Sequence, residues 1–132
     1  MHFDYTFEKS MKQLTFLFVG LLFAASSYAQ QPKVEFKDSI HYDMGSYQEG
    51  EMAEHVFEFR NTGTGDFVIY TVSTTCSCTA SEWPKDSIKP GQYGKIKVTF
   101  DTRDKLGTYD KGVNLETNIG EINMIITVTV TK

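Results

Sequence analysis

Cysteine, proline and tryptophan are scarce in this chain: its 132 residues hold two, three and one of them. Two cysteines cannot build the multi-bridge framework of a small disulfide-stapled fold. Nor can they fill a tetrahedral zinc site without two further ligands. Basic residues are in the minority, 13 against 17 acidic for a net charge of −4, and they form no cluster. That balance argues against nucleic acid and anionic lipid as partners. No glycine loop is shaped to cradle phosphate, no Ser-His-Asp set is recognisable, and no carboxylate pair is placed for acid–base work. These gaps point away from an enzyme and from a bound cofactor.

A long apolar run is missing as well. Leu14 to Ala25 is apolar and uncharged, but at about a dozen residues it falls short of the ~20 that span a bilayer. Lys9 and Lys12 precede it, and Ser27-Tyr28-Ala29 follows with small residues where signal peptidase reads. This is the pattern of a secretory signal peptide, residues 1–29, cleaved after Ala29. Asp4 and Glu8 do not suit its basic start, so Met11 is the expected initiator. The expected mature domain is residues 30–132, exported to the periplasm or the extracellular space and not inserted in a membrane.

What is present is a rhythm of two. Val34 and Phe36 alternate with Glu35 and Lys37. Ile40 to Tyr47 reads as a second short strand or a bent extension. Ala53, His55, Phe57 and Phe59 share one face of a strand, with Glu54, Glu58 and Arg60 opposite. Asn61 to Asp66 is a turn. Phe67 to Val72 is apolar and β-branched, as for a strand buried on both faces. Lys89-Pro90-Gly91 turns the chain into Lys95 to Asp101, where Ile96, Val98 and Phe100 point inward. Tyr109 to Thr117, a hairpin at Asn118 to Glu121, and Ile122 to Thr131 complete the chain. Thr127, Thr129 and Thr131 form a polar face that could lie at a sheet edge. About seven strands with turns every 8–12 residues predict an all-β, immunoglobulin-like antiparallel β-sandwich. Phe57, Phe59, Val98 and Phe100 are the expected core, and Trp83 is expected over one end with its N–H toward solvent or a carbonyl.

Phe57-Glu58-Phe59-Arg60-Asn61-Thr62-Gly63, Thr75-Cys76-Ser77-Cys78-Thr79, Trp83-Pro84, Pro90-Gly91, Ile96 to Thr102 and Lys111 to Asn118 recur as a set. Together they resemble a domain-of-unknown-function family, number 1573, of secreted bacterial proteins. That family is similar to major sperm protein and Hydin-type immunoglobulin-like domains. The resemblance covers about Glu35 to Thr131. It implies the fold and no activity. The family usually has glycine where Ser77 stands.

Cys76 and Cys78 are the one chemical oddity. A bridge between them closes a three-residue loop, for which chain entropy gives only about 1.6 kcal/mol against about 4.3 for a loop of about 60 residues. Residues two apart on a strand also sit near the ~6.8 Å upper Cα limit for a disulfide. The pair therefore cannot bolt two sheets together. Four readings stay open: a local disulfide or buried thiol pair shaping the turn, a contact site for a protein partner, a redox dithiol, and a Cu(I) site. Cys76, Ser77, Cys78 and Trp83 are the candidate residues of this turn. No Cys-x-x-Cys at a helix start supports the redox version. His41 and His55 are the histidines of the mature chain, and His55 reads as a core or edge histidine rather than a ligand. Asp101, Asp104 and Asp110 with Gly107 lack calcium-loop spacing and read as a solvated turn. The sequence supports an exported, non-enzymatic binding or structural module with an unidentified envelope protein as partner. The alternative is a thiol-disulfide or copper-handling protein using Cys76 and Cys78.

Overall fold

A computed structural model describes residue 12 and residues 28–75 and 78–132, with backbone alone at 78–81. The expected leader, residues 1–29, and the expected Met11 start lie outside the described residues apart from positions 12, 28 and 29. Among the described residues no helix is long and apolar enough to cross a membrane. The described residues form eight strands in succession: β1 (Val34–Phe36), β2 (His41–Gln48), β3 (Met52–Asn61), β4 (Ile69–Thr74), β5 (Cys78–Glu82), β6 (Tyr93–Asp101), β7 (Gly107–Thr117) and β8 (Gly120–Thr131). They form two four-stranded sheets, ordered β1-β3-β6-β5 and β2-β8-β7-β4. The protein is an all-β, immunoglobulin-like sandwich.

The inward set is the one that alternation predicts. Ala53, Phe57 and Phe59 of β3 and Ile96, Val98 and Phe100 of β6 face Val113 and Leu115 of β7 and Met124, Ile126, Val128 and Val130 of β8, all buried. Their partners in sequence (Glu54, Glu58, Lys95, Lys97) pair as ions on the outside.

Several expectations need correction. An eighth strand, β5, was not expected, because Cys78 to Glu82 carries small and polar residues with no apolar alternation. It pairs along β6 from Cys78↔Phe100 to Glu82↔Lys97. About seven strands were expected, antiparallel throughout, but β2 lies parallel to β8. The segment Phe67 to Val72 is not buried on both faces. Phe67 and Ile69 are buried while Tyr70 is 64% exposed, and the register breaks between Ile69 and Thr71. That bulge turns Tyr70 out and lets the next residues resume alternation. The threonine face of β8 is not at an edge, because β2 and β7 flank that strand on both sides.

Polar side chains fix the turns. Buried Asn61 donates through Nδ2 to the carbonyls of Gly65 and Ile88, both at 2.8 Å. Its Oδ1 accepts from the N–H of Gly63 at 3.0 Å and of Lys33 at 3.4 Å. One side chain thus ties β1, the turn after β3 and the loop before β6. Gly63 is needed there because a Cβ would run into the backbone of Gln31 and Lys33. Thr102 does the same at the other end, accepting from Gly50 N–H at 3.0 Å and lying 2.5 Å from the Glu51 carbonyl to which it donates. Gln92 N–H bonds the Lys89 carbonyl at 2.9 Å with Gly91 at φ 82°, a type II turn with proline and glycine in their favoured places.

Candidate functional site

Thr75 still belongs to the second sheet. Its N–H donates to the Gly112 carbonyl at 3.1 Å, and its hydroxyl accepts from Gly112 N–H at 3.2 Å. Cys78 already belongs to the first sheet, opposite Phe100. Thr75 and Cys78 thus lie on different sheets. Cys76 and Ser77, and with them the disulfide, thiol and copper readings, lie outside the described residues.

Trp83 is not beside Cys78. It follows the far end of β5, about 16 Å along an extended strand from Cys78 at ~3.3 Å per residue. It is half-buried against the core. Its N–H reaches neither solvent nor a carbonyl: Nε1 is buried without a hydrogen-bond partner. The ring instead offers its face to Lys85, whose Nζ sits 2.8 Å from the centroid, a cation–π contact.

His55 joins the two sheets on the opposite flank. It stacks on Tyr42 of β2 with centroids 3.7 Å apart and meets the edge of Phe57 at 4.6 Å. Its Nε2 is 3.2 Å from Asp38 Oδ2, but at an angle that makes no hydrogen bond. The contacts are those of a seam residue, as the parity of β3 suggests. Among the described residues no group of three metal-ligating side chains converges.

At the turn after β6, Asp101 accepts from the Arg103 guanidinium at 2.6 Å and from the Arg103 N–H at 3.0 Å. Hydrogen bonds from the Arg103 side chain first, then from its backbone, hold the Asp101 carboxyl at about 2, below its ordinary 3.8. The same partner raises Arg103. Asp110 is engaged elsewhere, accepting from the Thr127 hydroxyl at 2.6 Å.

The residues that sequence reasoning missed lie on the outer face of the first sheet. A shallow groove of about 360 Å³ runs between β1 and β3, lined by Glu35, Lys37, Glu58, Arg60, Thr62 and Tyr93 among others. Tyr93 is 70% exposed, and the Arg60 guanidinium carbon lies 5.4 Å from its ring centroid. Arg60 Nε also donates to the Gly91 carbonyl at 3.4 Å, so the turn that starts β6 positions the arginine. Lys37 and Lys95 both pair with Glu58, at 3.5 and 3.7 Å. Arg60 and Tyr93 face each other across the β3–β6 register. Their parity marks them as outward. The pairing between distant strands was the missing information.

A family model described as "Protein of unknown function (DUF1573)" matches residues 34–131. The chain belongs to the DUF1573 family. No curated protein matches it. Among solved structures, a protein of unknown function from Porphyromonas gingivalis W83 is similar at TM-score 0.67 and 23% identity, over 81% of this chain and 50% of that one. This chain thus spans about half the length of that relative. The PapD-like domain 7 of human CEP192 is similar at TM-score 0.58 and 16% identity, over 76% and 86% of the two chains. The secreted serine protease VesC of Vibrio cholerae gives TM-score 0.56 and 11% identity, over 75% of this chain and 23% of the protease. At these identities the likeness is one of fold. Asn61, Gly63, Pro90, Gly91, Thr102, Thr117 and Asn118, which carry the DUF1573 resemblance, build turns, and Phe57 and Phe59 build the core.

Proposed function

We propose that this DUF1573 protein is an exported, non-enzymatic binding module of the bacterial envelope that recognises a protein partner. The observation that carries the reading is the Arg60–Tyr93 pair: an exposed aromatic ring held beside a guanidinium in a concave part of a sheet face. Tyrosine and arginine are enriched at the energetic centres of protein interfaces. Charged residues paired around them (Lys37, Glu58, Lys95) supply a polar rim. The modular part of the reading draws on the neighbours. The similar fold occupies 23% of a secreted protease and 50% of the Porphyromonas protein, so it recurs as a unit joined to other chain.

Affinity capture from the protein's own envelope fraction tests this, comparing the native chain with an Arg60→Ala/Tyr93→Ala variant. The expected result is a partner retained by the native chain and lost from the variant. An unchanged partner set would refute the groove as contact site. A Cys76→Ser/Cys78→Ser arm addresses the thiol reading, which requires loss of capture or of redox activity in that variant alone.

A further inference from the structure

The geometry points to a second contact surface, a strand-addition site for an extended acidic peptide along residues Gly107–Lys111 of β7. Most edges of the sandwich are blunted. β1 has three residues. β2 bulges between Asp43 and Ser46, where Gly45 takes φ 88°. β4 breaks register at Tyr70 and β5 at Ser81. Such devices prevent pairing with other chains.

β7 is different. Its flank is covered by β4 only from Val113 to Thr117, plus the Thr75–Gly112 bonds. Beyond Gly112 the chain leaves for the other sheet, where Cys78 and Thr79 pair with Phe100 and Thr99. The Gly112 backbone points toward β4, so by alternation the N–H and C=O of Asp110 and Thr108 point the same way. Among the described residues none pairs with them there, while on the other side β7 follows β8 in unbroken register.

The flanking side chains set the ligand chemistry. Tyr109, on the inward parity, lies 5.7 Å from the Phe100 ring and would meet an aliphatic residue of an added strand. Lys111 Nζ is 5.8 Å from the Tyr109 ring, and Lys105 Nζ is 5.6 Å from that of Phe100. Among the described residues neither lysine makes an ion pair. Asp110 points to the other face, engaged by Thr127. An extended segment with an acidic residue two positions from an aliphatic one fits both lysine and ring. Main-chain bonds to Thr108 and Asp110 supply the rest, as in other strand additions.

The probe is a synthetic peptide, Thr-Val-Thr-Glu-Thr-Val-Thr with capped ends, which presents the same inward set in either direction. It is titrated into the purified protein with amide exchange followed by NMR. In the free protein, Thr108 and Asp110 amides should exchange fast, and Tyr109 and Lys111 amides slowly. Bound peptide should protect the first pair. Replacing glutamate by lysine should weaken binding by about tenfold, as like charges are brought together. N-methylation of the two threonines flanking glutamate should abolish it. Thr108→Pro removes a donor that no strand pairing among the described residues uses on that side and should also abolish binding. If that variant fails to fold, the N-methylated peptide carries the same test. No protection at about 1 mM peptide, protection already present in the free protein through self-association, or equal binding of the N-methylated peptide would each overturn the site. Arg60 and Tyr93 lie on the other sheet, so an Arg60→Ala/Tyr93→Ala variant should bind the peptide normally. Failure here and failure of the groove reading are therefore separable.

Discussion

Asn61 illustrates how much one polar side chain can hold. All four of its side-chain hydrogen bonds are to backbone groups, two in the adjoining turn (Gly63, Gly65) and two distant in sequence (Lys33, Ile88). Asn61→Ala would remove the side-chain donor of the buried Gly65 carbonyl and the acceptor of the Gly63 N–H, while the Ile88 carbonyl keeps the bond from Phe67 N–H. An unsatisfied buried group costs about 1–3 kcal/mol, so we expect a loss of at least about 2 kcal/mol in urea unfolding. Phe57→Ala should cost about 3–5 kcal/mol through its cavity. Asp101 predicts a pH effect. Its folded carboxyl titrates at about 2 against an ordinary 3.8, so the folded state binds the proton more weakly. The stabilisation is complete above about pH 4 and disappears as pH falls toward 2. Acid unfolding of Asp101→Asn should therefore show a shallower slope across that window than the native chain.

At the scale of elements, β6 is held to β3 by nine consecutive residue pairs, Met52↔Asp101 to Arg60↔Tyr93. Gly94 sits in that ladder under the Phe59 ring, which a Cβ would strike. Overpacking a core costs about 1–3 kcal/mol, so Gly94→Ala should lower the urea midpoint, and Gly45→Ala should act through backbone strain alone, since nothing lies near its Cβ. The strands legible in the sequence were those with one greasy face, β3, β6 and β8, because burial on one side imposes a period of two. β5 was illegible because its partner β6 supplies the apolar residues of that flank. The parallel entry of β2 beside β8 was also hidden, since alternation says nothing about strand direction. Nor could alternation show that β8 is flanked on both sides, which places its threonines in a sheet face rather than at an edge.

For the whole molecule, the sequence carried the sandwich and its family but not the groove. Arg60 and Tyr93 are 33 residues apart in sequence, and only the β3–β6 register puts them side by side. The cysteine pair is chemically conspicuous in the sequence alone. Arginine and tyrosine on an outward strand face look, in sequence, like ordinary surface. The binding reading depends on that face meeting a protein in the envelope. Benzoylphenylalanine placed at Tyr93 in the full chain, irradiated in living cells, tests it most directly, with the same probe at Glu116 on the opposite sheet as reference. A discrete protein adduct from position 93, absent from position 116, is the expected result. No adduct at 93, or the same adducts from both positions, would contradict the account.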